Sequence, residues 1–211
     1  MPELPEVETV VRGLRDPLIG RTITDMMAQW ERTIQTPHPD EFAARVQGQM
    51  IQAVTRRAKF IVVVLSDDLL IVHLRMTGRL YVTEPDVVHD ADRWLRVQFG
   101  LDDGRQLRFS DVRKFGRVSL ATDVEQITGV LGPEPLDDAF TLAVFNERLQ
   151  GRNKLIKALL LDQTFIAGVG NIYADEALFR AGIHPQRRSN SLTDDEIARL
   201  HTTVQAALAD G

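Results

Sequence analysis

The feature that most constrains the fold is a break in pattern at residues 131–135, Leu-Gly-Pro-Glu-Pro. Two prolines and a glycine can continue neither a strand ladder nor a helix. Before the break the chain runs in short apolar, β-branched segments, at 20–30, 47–56, 60–65, 69–74, 78–82, 95–101, 106–110 and 116–121, with a short helical turn at 40–46. Ser66-Asp67-Asp68 separates two of the runs as a hairpin, and Asp103-Gly104 turns between two others. Many short strands with regular turn signals predict a sandwich or barrel. After the break apolar residues recur at helical spacing. The predicted helices cover 141–150, 153–161 and 172–181, the last closed by Gly182 with Pro185 following. A final helix starts at Thr193, where Thr-Asp-Asp-Glu is a capping box ahead of Ile197, Leu200, Val204 and Leu208. The class predicted is α+β, with a β-rich domain over 1–135 that opens with a helix and a helical domain over 136–211.

That opening helix carries the chemistry. Val7, Val10, Val11 and Leu14 repeat at helical spacing from Pro5 onward, and Glu6 and Glu8 suit the positive end of its dipole, Glu6 supporting the first turn. Pro2 follows Met1, and a small second residue favours methionine removal, which leaves Pro2 as a secondary amine at the terminus. A helix N-terminus disfavours an ammonium and so favours the neutral, nucleophilic amine. Such an amine can attack an electrophilic carbon and form an imine, with the adjacent Glu3 carrying protons. On spacing alone, a plain helix with acidic residues in its first turn accounts for the same residues.

Composition bounds the rest. The sequence has 211 residues, 44% of them hydrophobic and 26% charged, and no cysteine, so it offers no disulfide and no thiolate ligand for a metal. No apolar run reaches membrane-spanning length and no signal peptide opens the chain, which makes a cytoplasmic protein the expectation. The net charge is −5, yet residues 105–117 hold Arg105, Arg108, Arg113, Lys114 and Arg117 against Asp111 alone. Residues 148–157 hold Arg148, Arg152, Lys154 and Lys157 with no acid. Most charge runs are solvated faces, but two acid-poor runs suit one anion-binding side.

Met-Pro-Glu-Leu-Pro-Glu-Val-Glu-Thr at 1–9 resembles the N-terminus of the bacterial formamidopyrimidine-DNA glycosylases, the Fpg branch of the Fpg/Nei family. The likeness continues through Arg-Arg-Ala-Lys at 56–59, His-Leu-Arg-Met-Thr-Gly at 73–78, Asp-Val-Arg-Lys-Phe-Gly at 111–116, Leu-Gly-Pro-Glu-Pro-Leu at 131–136 and Gly-Val-Gly-Asn-Ile-Tyr-Ala at 168–174. It implies a β-sandwich followed by a helical domain with a helix–two-turn–helix motif, and a monomer acting on damaged double-stranded DNA, without membrane association, among the bacterial nucleoid. It implies a glycosylase and abasic-site lyase that excises oxidised purines through a Pro2 Schiff base and β,δ-elimination. Pro2, Glu3 and Lys59 would be catalytic. Met76, Arg113 and Phe115 would fill the gap left by an extruded nucleotide, as wedges that offset lost stacking. His73, Arg152, Lys157 and Asn171 would contact the backbone, and the Gly168–Asn171 loop at a helix N-terminus would make a phosphate site.

The same residues have plainer readings. Lys59 can be an edge-strand lysine that blocks aggregation, Met76 and Phe115 core side chains, His73 a satisfied core histidine and the two glycines turn chemistry. The sequence also departs from the family's pattern: a His-x-His strand motif corresponds to Trp94-Leu95-Arg96, and these 211 residues contain no Cys-ligated zinc finger, so no cofactor is expected within them. A truncated, catalytically impaired module that recognises damaged DNA is the alternative function.

Overall fold

In a computed structural model, residues 2–211 are described, and Met1, whose removal the sequence reading invokes, lies outside them. The chain sorts into two units, Pro2 with Glu6–Gly129, and Glu3–Pro5 with Val130–Gly211. Among the described residues there are seven α-helices and nine strands. In chain order they are α1 (Leu4–Leu18), β1 (Ile23–Ala28), β2 (Ile34–Thr36), α2 (Pro39–Val46), β3 (Ile51–Arg57), β4 (Phe60–Leu65), β5 (Leu69–His73), β6 (Gly78–Thr83), β7 (Leu95–Leu101), β8 (Gln106–Asp111), β9 (Arg117–Ala121), α3 (Glu125–Thr128), α4 (Leu142–Leu149), α5 (Ile156–Leu160), α6 (Asn171–Ala181) and α7 (Asp194–Asp210).

The first unit is a sandwich. One sheet has the order β1-β7-β8-β6, the other β2-β9-β5-β4-β3. Alternation along the strands points Val97, Phe99, Leu107 and Phe109 from one sheet and Val54, Ile61, Val63, Leu70 and Val72 from the other into a single core. Val7, Val11, Leu14 and Leu18 of α1 join that core, as their helical spacing predicts. The expected strands are all present. What the sequence reading misses is β2, three residues that pair in parallel with β9. A strand that short carries no period to read.

The second unit packs Phe140, Phe145, Phe165, Ile166, Tyr173, Leu178, Leu200 and Val204 around a core that also takes Leu4. The capping box of α7 is formed at both ends, Thr193 accepting from the Glu196 N–H and Glu196 from the Thr193 N–H. Gly182, at φ 68, ends α6 in the left-handed region. The helix predicted over 153–161 is a correction: α5 spans only Ile156–Leu160, and Arg152 and Lys154 sit in the turn before it. Main-chain groups of that turn bond outward instead, the Ser189 N–H donating to the Lys154 carbonyl and the Ser189 hydroxyl to the Arg152 carbonyl.

Candidate active site

Pro2 lines a cavity of about 360 Å³ in the first unit, with Met76, Thr77, Arg79, Ala91, Trp94, Ser110 and Asp111 around it. That volume suits a small organic group such as a sugar or base. The cavity is built on the outer face of β6 and β8, closed by the 3₁₀ turn Asp90–Trp94. A buried network holds the turn: the Asp92 carboxylate accepts from the Tyr81 hydroxyl at 2.6 Å and from the Arg108 guanidinium at 2.8 Å. These donors hold the Asp92 carboxyl below the usual range against burial, which works the other way. Burial pushes the Tyr81 phenol up to about 12, with the Asp92 charge adding to the shift.

Met76, Arg113 and Phe115 lie up to 39 positions apart in the sequence and meet at the mouth of this region. An Arg113 N–H points at the Met76 sulfur at 2.9 Å, and its guanidinium carbon lies 6.0 Å from the centre of the Phe115 ring. Met76 is 46% exposed and Phe115 51%, so neither is a core side chain. Asp111 shapes the loop that carries two of the three. Its buried carboxylate accepts from the Gly116 N–H at 2.7 Å, the Arg113 N–H at 3.1 Å and the Thr77 hydroxyl. The Arg96 guanidinium donates to the Asp111 carbonyl at 2.8 Å. Sequence reasoning missed Thr77 and the anchoring role of Asp111. The signal for the latter is local, because aspartate commonly turns the chain by accepting the N–H two residues on, here that of Arg113.

Lys59 is not an edge-strand lysine. It occupies the tight turn between β3 and β4 and is 5% exposed. His73, at the end of β5, sits across from Phe60, with the two rings edge-on at 4.5 Å. Burial, with Arg75 and Lys59 nearby, lowers the His73 imidazole to about 3, so it is neutral at physiological pH. Its Nδ1 accepts the Arg75 N–H at 3.0 Å, which leaves the proton on Nε2. Among the described residues, three other than glycine adopt positive φ, namely Ala58 at 51°, Arg75 at 54° and Lys114 at 61°. Each immediately precedes one of Lys59, Met76 and Phe115. Left-handed backbone costs about 1 kcal/mol for such residues and concentrates at functional positions.

In the second unit the Gly168–Asn171 loop leads into a helix end that holds Glu3. At the N-terminus of α6, one Glu3 oxygen accepts from the Gly170 N–H at 2.8 Å and the Tyr173 N–H at 3.3 Å, and the other from the Ile172 N–H at 2.9 Å. Glu3 is buried against this helix end. These three backbone donors serve Glu3. Gly170 makes room for it, since a Cβ there would lie 2.3 Å from the Glu3 carboxyl carbon. The Asn171 side chain stays exposed at the first position of the helix. Lys157 pairs with Asp175 at 2.8 Å. Arg152 donates to the Arg148 carbonyl at 2.8 Å, with its guanidinium over the Phe165 ring.

The basic runs also need correcting. Arg108 is buried and fully engaged, and Arg105 pairs with Asp103 at 2.6 Å. Arg148 ties down the carbonyls of Thr164 and Phe165. Only part of each run faces outward. No group of three or more His, Asp or Glu side chains among the described residues could hold a metal, and the sequence has no cysteine, so these residues fit no zinc site. Among them, no helix is long and apolar enough to cross a membrane.

Comparison with known proteins gives a consistent picture. Residues 1–118 match the model of the formamidopyrimidine-DNA glycosylase N-terminal domain, and residues 131–211 that of the formamidopyrimidine-DNA glycosylase H2TH domain. A formamidopyrimidine-DNA glycosylase of Chloroflexus aggregans is 52% identical over 100% of this chain and 77% of its own. One of Protochlamydia amoebophila is 47% identical over 100% and 76%. The crystal structure of the Lactococcus lactis enzyme, bound non-covalently to DNA with an abasic site, superposes with a TM-score of 0.91 at 34% identity, over 99% of this chain and 81% of that one.

Proposed function

The chain belongs to the formamidopyrimidine-DNA glycosylase family, and from that premise we propose that it excises oxidised purines, formamidopyrimidine and 8-oxoguanine, from duplex DNA and then cleaves the strand. The observation that carries this reading is the cavity at Pro2, a small-molecule-sized space beside exposed Met76 and an arginine–phenylalanine loop. A base must leave the stack to be cut out. Met76 and Phe115 would then take its room, and Arg113 would face the unpaired partner.

The Pro2 nitrogen attacks C1′ of the extruded nucleoside. The glycosidic C–N bond breaks, and the base leaves with the electron pair and a proton. Glu3 protonates the opened sugar oxygen, and the nitrogen–carbon bond becomes an iminium. Loss of a C2′ proton expels the 3′ phosphate with its bonding pair, and a second elimination expels the 5′ phosphate, leaving a one-nucleotide gap. Lys59 acts as proton donor in the elimination, while His73, Arg152, Lys157 and Asn171 hold the backbone. A neutral His73 does so through its Nε2–H.

Borohydride trapping tests the reading. Wild-type protein on a duplex carrying 8-oxoguanine is expected to give a covalent adduct, and Pro2→Gly to lose it while still binding. An undiminished adduct with Pro2→Gly would contradict the proposal.

A further inference from the structure

Arg79 lines the same cavity as Pro2, and no functional reading above uses it. It stands on the edge strand β6, opposite Ser110 of β8, with its side chain on the outer, exposed face. Among the described residues its guanidinium has no hydrogen bond and no ion pair. The neighbouring Thr77, Ser110 and Asp111 side chains are engaged with partners of their own. The Asp111 carboxylate holds Thr77 and the N–H groups of Arg113 and Gly116. Ser110 Oγ bonds the Tyr81 hydroxyl at 2.9 Å. Of the nearby cations, Arg96 donates to the Asp111 carbonyl and Arg93 lies over the Trp94 ring at 4.9 Å.

An arginine left without an anion, on the rim of a cavity whose one carboxylate is satisfied, is a vacant anion site. Its planar fork suits two oxygens of one phosphate better than a point contact. From this we infer that Arg79 binds a backbone phosphate flanking the nucleotide that enters the Pro2 cavity, and so seats the sugar there. The inference rests on the proposed function for the identity of that nucleotide. The vacancy itself does not.

The test uses a duplex with a tetrahydrofuran abasic analogue, which binds without being cut. Arg79→Ala is expected to weaken binding about tenfold and to lower the slope of log affinity against log salt by about 0.9, one phosphate contact's worth. Arg79→Lys is expected to keep the slope and lose part of the affinity. A neutral methylphosphonate placed at one of the two flanking positions should weaken wild type and cost Arg79→Ala nothing further. Unchanged affinity and slope in Arg79→Ala, with its melting temperature intact, would overturn the inference; so would additive losses at both methylphosphonate positions. A wild-type protein that binds this duplex yet gives no borohydride adduct on the 8-oxoguanine duplex would sink the catalytic reading and leave the salt slope to decide Arg79.

Discussion

His73 shows how one side chain ties acid stability to the site. Its imidazole titrates near 3 in the fold against 6.5 in the unfolded chain, because burial and the charges of Arg75 and Lys59 oppose protonation. Between those values the unfolded state binds the extra proton, so stability is full above about pH 6.5 and falls as pH drops toward 3. One such group contributes a slope of at most about 1.4 kcal/mol per pH unit. Glu8, Asp92 and the other carboxyls held low in the fold begin to count only near and below 4.5, which leaves pH 6.5 to 4.5 as the window for His73. Urea melts across that window are expected to show a shallower pH dependence in His73→Gln than in wild type. Equal slopes would mean the imidazole is not buried neutral.

At the scale of elements, the turns before Lys59 and Met76 hold Ala58 and Arg75 at positive φ. Glycine adopts that conformation freely but adds freedom to the unfolded chain, and the two effects nearly cancel. Ala58→Gly and Arg75→Gly are thus expected to leave stability within about 0.5 kcal/mol of wild type, whereas Ala58→Val should lose about 2 kcal/mol or more. Chemical denaturation checks both arms, and a large loss in either glycine variant would show the turns unstrained. These elements also mark how far the sequence could be read. The break at 131–135, the sandwich strands and the α7 capping box were visible because period and turn chemistry are local. Glu3 at the start of α6 was not, since that bond spans 167 positions. Nor was the burial of Arg108: β8 is covered on both faces, so a run of arginines looked like a solvated surface. For the site, the motif residues Met76, Arg113 and Phe115 were legible one by one, and their convergence needed the fold.

Over the whole molecule, the question is which amine forms the imine. The lysines of the sequence are Lys59, Lys114, Lys154 and Lys157. Lys114 lies over the Trp30 ring at 4.0 Å, Lys154 and Lys157 pair with Asp162 and Asp175, and Lys59 is buried. Pro2 alone among these candidates lines the cavity. Peptide mapping by mass spectrometry of the borohydride-reduced complex with abasic DNA reads the attachment point directly. The expected result is a reduced sugar remnant on the nitrogen of an N-terminal Pro2, with Met1 gone. A remnant on Lys59, on any other lysine, or on a retained Met1 would contradict the central claim.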